Sequence, residues 1–130
     1  MRVNLPVIDD EYVLPDGEVI VSRTDLKGVI SYVNEAFVRS SGFPREELMG
    51  RAHNIIRHPE MPAEAFADLW QTIASGRPWS ALVKNRRKNG GFYWVRANVT
   101  PVLADGKVTG YMSVRVKPKP SEVEAAQTLY

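Results

Sequence analysis

The sequence predicts an α+β domain, a five-stranded antiparallel sheet with short helices and one longer helix packed on one face. Three observations lead there. Two β-rich runs open the chain, a central stretch carries helix caps and one clear helical period, and three more β-rich runs follow, joined by glycine-containing turns. A chain of 130 residues suits one domain built around one core.

The first two strands are expected at Val19 to Thr24 and Val29 to Val33, with Asp25-Leu26-Lys27-Gly28 as the hairpin connection. Asn34 is placed to cap a helix of about two turns that Gly42 stops. A second short helix follows, with Pro44 in its first position, Glu46 and Glu47 near its positive end and Gly50 as its left-handed terminator. From Pro62 to Ser75, Phe66, Leu69, Trp70 and Ile73 recur at i, i+3, i+4 and i+7, which predicts the longest helix, closed by Gly76. Strands then run over Trp79 to Arg87, Phe92 to Leu103 and Lys107 to Lys117, with turns at Asn89-Gly90-Gly91 and Asp105-Gly106. Residues 118–130, with two prolines and then a polar helix-compatible stretch, read as a linker leading outwards, and residues 1–18 as a cap segment before the domain of residues 19–117.

Composition narrows the chemistry. With no cysteine, disulfides, thiolate metal sites, thiol nucleophiles and cysteine–cofactor adducts are excluded. The net charge of +2 is too balanced to imply nucleic acid. The basic run Lys84, Arg86, Arg87 and Lys88 leads into a hairpin turn, where solvated charge is a better explanation than a phosphate-binding patch. The start lacks a signal-peptide pattern and no apolar run is long enough to span a bilayer, so this segment is expected to lie in the cytoplasm as the first module of a longer protein, without entering a membrane itself. No dinucleotide or P-loop motif and no nucleophile–base spacing occurs, so an enzyme is not expected.

The densest polar cluster is Arg51 to Pro62, which holds both histidines, His53 and His58. Their five-residue spacing places them about 140° apart on a helix, unsuited to a shared metal. Read alone, the segment is better explained as a connector whose His and Arg cap helix ends. In the third strand, Trp79, Ala81, Val83 and Asn85 share a face, and a buried Asn85 amide would need a partner. In the last strand, Tyr111, Ser113 and Arg115 share one face and Met112, Val114 and Val116 the other; periodicity leaves open which is buried.

The blocks YVNEAFVRSSGFPREELMG, RHPEMP, PWSALVKNRRKNGGFYWVRANVTPV and GYMSVR resemble the PAS family over about residues 20–117. HNIIRHPEMP, FADLW, PWS, VKNRRKNG and GYMS are similar to the FAD-binding PAS domains of bacterial aerotaxis receptors. The resemblance implies a non-covalent FAD, with flavin-affecting positions at Arg57, His58, Trp79 and Asn85 and further pocket candidates at His53, Asn54, Phe66 and Trp70. Glu60 stands where that pattern usually has Asp. Similarity to light-sensing flavin PAS domains places Asn85 at an amide that bonds the ring and Arg115 where those proteins carry glutamine; this implies that Arg115 faces the flavin and favours a reduced, anionic ring. With no cysteine for an adduct, redox state becomes the expected signal.

The implied partners are the signalling modules of the same membrane-anchored receptor, a HAMP or proximal signalling region, with a PAS–PAS homodimer as a further pairing. Two other readings stand beside this one: a haem-based gas sensor with His53 or His58 as axial ligand, and a ligand-free PAS interaction module.

Overall fold

The computed structural model describes residues 6–129. The segments expected at 1–5 and 130 therefore lie outside the described residues. Strands β1 (Val19–Thr24) and β2 (Ile30–Val33) form the opening hairpin. Helices α1 (Glu35–Ser41) and α2 (Arg45–Leu48), a single 3-10 turn (His53–Ile56) and helix α3 (Ala63–Ala74) follow. Strands β3 (Trp79–Arg86), β4 (Phe92–Ala104) and β5 (Lys107–Val116) come next, then helix α4 (Pro120–Leu129).

All five strands pair antiparallel in one sheet of order β2-β1-β5-β4-β3. The last strand therefore inserts beside the first, and β2 and β3 are left as edges. Local signals set the element ends. The Asn34 side chain accepts from Phe37 N at 3.1 Å and from Val21 N at 3.0 Å, so one residue caps α1 and ties it to β1. Gly42 ends α1 in the left-handed region at φ 76°. Pro44 stands just before α2 as its cap, not in its first turn.

The main core lies between the inner sheet face and the helices, and includes Ile20, Val33, Phe37, Leu48, Ile56, Ile73, Val83, Tyr93 and Val95. A smaller cluster of Leu82, Phe92, Trp94 and Ala126 lies on the outer face. The helix-compatible segment expected to lead outwards instead packs back: α4 lies across the sheet, its Val123 and Ala126 against Leu82, Phe92 and Trp94, while Glu122 pairs with Arg96. The aromatic patch on the outward face of β3 and β4 needs a cover, and α4 supplies it.

The basic run before the β3–β4 turn is consumed by internal ties. Arg86 Nε donates to Pro6 O at 2.8 Å. Arg87 donates to Ser40 O at 2.7 Å and lies 4.4 Å from the Tyr12 ring. Lys88 pairs with Glu47. The Arg86 bond and the Arg87–Tyr12 contact, with Ile8 N to Gly90 O and Tyr12 N to Phe92 O, strap residues 6–12 to the β3–β4 hairpin, while the Ser40 and Glu47 contacts tie it to α1 and α2.

A cation-lined cavity between helix α3 and the sheet

The floor of the cavity is the middle of the inner sheet face. The register places Ser22 of β1 beside Ser113 of β5, and Ser113 beside Val99 of β4. In the neighbouring row Arg115 stands between Ile20 and Ala97. Small side chains at Ser22, Ala97 and Ser113 leave room above the sheet that α3 does not fill. The apolar face of α3 buries only Ile73 fully, because Phe66, Leu69 and Trp70 roof a cavity of about 220 Å³.

Eight of the nine residues singled out from sequence line this cavity: His53, Asn54, Arg57, Phe66, Trp70, Trp79, Asn85 and Arg115. The ninth, His58, does not. It is buried elsewhere, its Nδ1 accepting from Glu60 N at 3.1 Å and its ring edge-on to Phe92. The reason is topological: the chain crosses the edge of β3 between Arg57 and His58, so neighbouring side chains fall on opposite sides of the sheet edge. Residues that sequence reasoning did not single out as site residues also line the cavity, among them Ser22, Lys27, Tyr111 and Ser113. Ser113 could have been found, since it shares its strand face with Arg115 two positions on.

The strand phase is resolved. Tyr111, Ser113 and Arg115 face inwards, Arg115 being only 7% exposed. Its Nε and Nη1, with Asn85 Nδ2 and Ser113 Oγ, have no hydrogen-bond partner among the described residues. Each such buried group costs on the order of 1–3 kcal/mol if left unmet. Among the described residues no acidic side chain lines the cavity, whereas Lys27, Arg57 and Arg115 do. Burial pulls the guanidinium of Arg115 below the ordinary arginine value without discharging it. Burial, reinforced by Arg115, holds His53 well below the usual imidazole value and therefore neutral; its Nε2 lies 3.1 Å from Ser22 Oγ.

Four contacts shape the walls. Trp79 Nε1 donates to Asp68 Oδ2 at 2.9 Å, joining β3 to α3. Trp70, 43% exposed at the mouth, stands edge-on to Tyr111. Arg57 lies 3.9 Å over the Phe66 ring, and its backbone bridges to Asn85.

Residues 30–115 match the family described as PAS fold. The chain belongs to the PAS family. This PAS domain is 50% identical over 117 residues to the aerotaxis receptor of Escherichia coli K12, a match covering 90% of the chain and 23% of the receptor. It is 32% identical over 98 residues to the nitrogen fixation regulatory protein of Klebsiella oxytoca, covering 75% of the chain and 20% of that protein. The chain thus spans about a fifth to a quarter of the length of these curated relatives. Among solved structures, a light-oxygen-voltage domain studied with a flavin analogue superposes with a TM-score of 0.73 at 20% identity, covering 85% of this chain and 83% of that one. The dark-state light-oxygen-voltage domain of Aureochrome1 gives 0.71 at 20% identity, covering 86% of each chain. At that identity the likeness shows the PAS fold alone.

Proposed function

We propose that this PAS domain is a sensory module that holds FAD non-covalently in the cavity under α3 and reports its redox state to a signalling module. The observation that carries the reading is the convergence of unmet buried donors on one cavity: Asn85 Nδ2, Ser113 Oγ and the Arg115 guanidinium. Three residues of this kind suit a planar heterocycle edged with carbonyl and ring-nitrogen acceptors. The resemblance to the FAD-binding PAS domains of aerotaxis receptors, with one such receptor 50% identical over 117 residues, supports a flavin as that heterocycle.

The volume supports a division of the ligand. About 220 Å³ is below the usual size of a pocket that encloses a whole ligand, so a ring system would fill it and the remainder would extend through the mouth. Lys27 and Arg57 offer positive charge on that cavity's lining, which suits the phosphates of FAD.

Bound flavin supplies reversible electron transfer. The protein's own part is electrostatic. The Asn85 amide and Ser113 hydroxyl orient the ring by hydrogen bonding, and the uncompensated charge of Arg115 favours whichever ligand state carries more negative charge. Neutral His53, 3.1 Å from Ser22 Oγ, lines the cavity without adding to its positive charge. A redox change then alters the contact energy at Arg115 and Asn85, the differential interaction that any population shift of the sheet requires.

The haem alternative is less well supported. His58 lies away from the cavity, and the Nε2 of His53 is engaged by Ser22. We read the full receptor as carrying its output modules, HAMP or proximal signalling regions at the membrane's cytoplasmic side, in the portion beyond this chain. The deciding experiment is acid release of the cofactor from the purified domain, with chromatography against FAD and FMN standards and an absorption spectrum. FAD with flavin bands is the expected result. FMN would correct the ligand, and a Soret band or a colourless protein that takes up no flavin would overturn the reading.

A further inference from the structure

His58 is buried to 1% exposure, yet it does not touch the cavity. The segment His58-Pro59-Glu60-Met61 is a turn closed by Met61 N donating to His58 O at 3.1 Å. In such a turn the first position favours Asp, Asn or Ser, whose side chain accepts from the N–H two residues on, and the second favours Pro. His58 makes that same bond with its ring: Nδ1 accepts from Glu60 N at 3.1 Å. Immediately before the turn, the backbone of Arg57 bridges to Asn85 on the edge strand β3; at its end, Met61 Sδ accepts from Lys84 N at 3.4 Å. The turn thus folds the chain over the sheet edge and sets Arg57 on the cavity side.

We propose that His58 is a positioning residue, a neutral imidazole standing in for an Asn side chain at the head of this turn, and that protonating this ring releases the turn and, through Arg57, loosens the cavity. The acceptor role requires an unprotonated Nδ1, because a protonated imidazole has two donors and no acceptor. The groups that face the ring favour the neutral state. Lys84 and Arg86 of β3 oppose a positive charge there; Glu60 favours one but is paired with Lys84 at 3.1 Å; from β4 the neighbour is the Phe92 ring. Burial acts in the same direction, so the neutral form persists below the usual imidazole range. The fold therefore needs no ligand contact from His58 for the residue to matter to one.

The inference rests on the cavity being the ligand site, and the test separates the two. Glu60 amide hydrogen exchange and the His58 imidazole titration are read by NMR on the domain without added ligand, and flavin retention is measured in parallel from pH 8 to 5, on the order of the range imidazoles titrate through. For the wild type, Glu60 protection and flavin retention fall together as His58 protonates. His58→Asn keeps the acceptor and loses the titration, so it should protect Glu60 and retain flavin across the range, whereas His58→Ala should lose protection at every pH and retain flavin about fivefold less well, the worth of one hydrogen bond. If His58→Asn loses flavin as His58→Ala does while still protecting Glu60, the ring contacts the ligand and the proposal is overturned. If His58→Asn keeps the wild-type acid transition, another group is responsible and the release by His58 is overturned. Should no variant or wild type take up flavin, the function proposed above fails, while the Glu60 exchange still decides the role of His58.

Discussion

Trp79 at the start of β3 donates its indole N–H to the carboxylate of Asp68 on α3, at 2.9 Å, and this bond fastens the helical roof of the cavity to the edge of its floor. Asp68 follows Phe66 and precedes Leu69, so the same turn of helix carries the cavity lining and the tie that holds it in place.

Replacing Asp68 by Leu should therefore act twice. It leaves a part-buried indole donor without its partner, expected to cost about 1–3 kcal/mol, and it frees α3 to shift over the cavity. Asp68→Asn keeps an acceptor and should lose less than half of that. Urea unfolding followed by tryptophan fluorescence, with flavin retention measured on the same samples, checks both effects.

Arg115 and ligand binding should oppose one another in the stability of the domain. Without ligand, Arg115→Met removes a buried charge with unmet donors and should raise unfolding stability, by about 1–4 kcal/mol if it behaves like other buried charges exchanged for apolar side chains. Flavin retention should fall in the same variant. With flavin bound, Arg115→Gln should make the one-electron potential more negative, by up to about 170 mV, the equivalent of roughly 4 kcal/mol for charges near 4 Å at an effective dielectric near 20. An unchanged potential would show that Arg115 does not favour the reduced ring.

Stability should decline in mild acid. Burial holds both histidines below the ordinary imidazole value, with Arg115 adding to the effect at His53 and Lys84 at His58. Below the unfolded value, about 6.5, the unfolded chain binds protons that the folded chain refuses. The histidine contribution is thus fully present above about pH 6.5 and is lost as pH falls from there toward the lowered folded values. Urea midpoints across this range should drop for the wild type, and should be flatter for a His53→Gln, His58→Asn double variant.

Gly28 should tolerate no side chain without moving Trp70. Its φ is +83°, and an added Cβ would lie 2.8 Å from Trp70 Cη2. Gly28→Ala carries a backbone penalty of roughly 1–2 kcal/mol and should push the indole away from the cavity mouth, seen as a shift in tryptophan emission. In a double-mutant cycle with Trp70→Ala, the backbone penalty should persist and the steric part should vanish.

The sheet and its helices were legible because their signals are local. Asn34 and Gly42 bound α1, Asp105-Gly106 turns β4 into β5, and the spacing of Phe66, Leu69, Trp70 and Ile73 marks α3; each is decided by a few neighbouring residues. The 3-10 turn at His53–Ile56 was not expected, since it has neither a capping side chain nor a periodic face to announce it. Asp68 likewise gave no signal, because its partner Trp79 is eleven positions away on another element.

By itself the sequence determined the element order, the absence of thiol chemistry and the alternating sets of residues that share each strand face. Periodicity left open which set is inside; the family resemblance implied Arg115 inward, and the tertiary structure decided it. Arg115 faces the cavity because β5 is inserted between β1 and β4, where its row meets Ile20 and Ala97 and the helices cover that side. The same long-range geometry sends Arg57 and His58 to opposite sides of the β3 edge and lays α4 on the outer face. Alternation along a strand is a local property of the backbone, but burial of a face depends on what the rest of the chain brings against it.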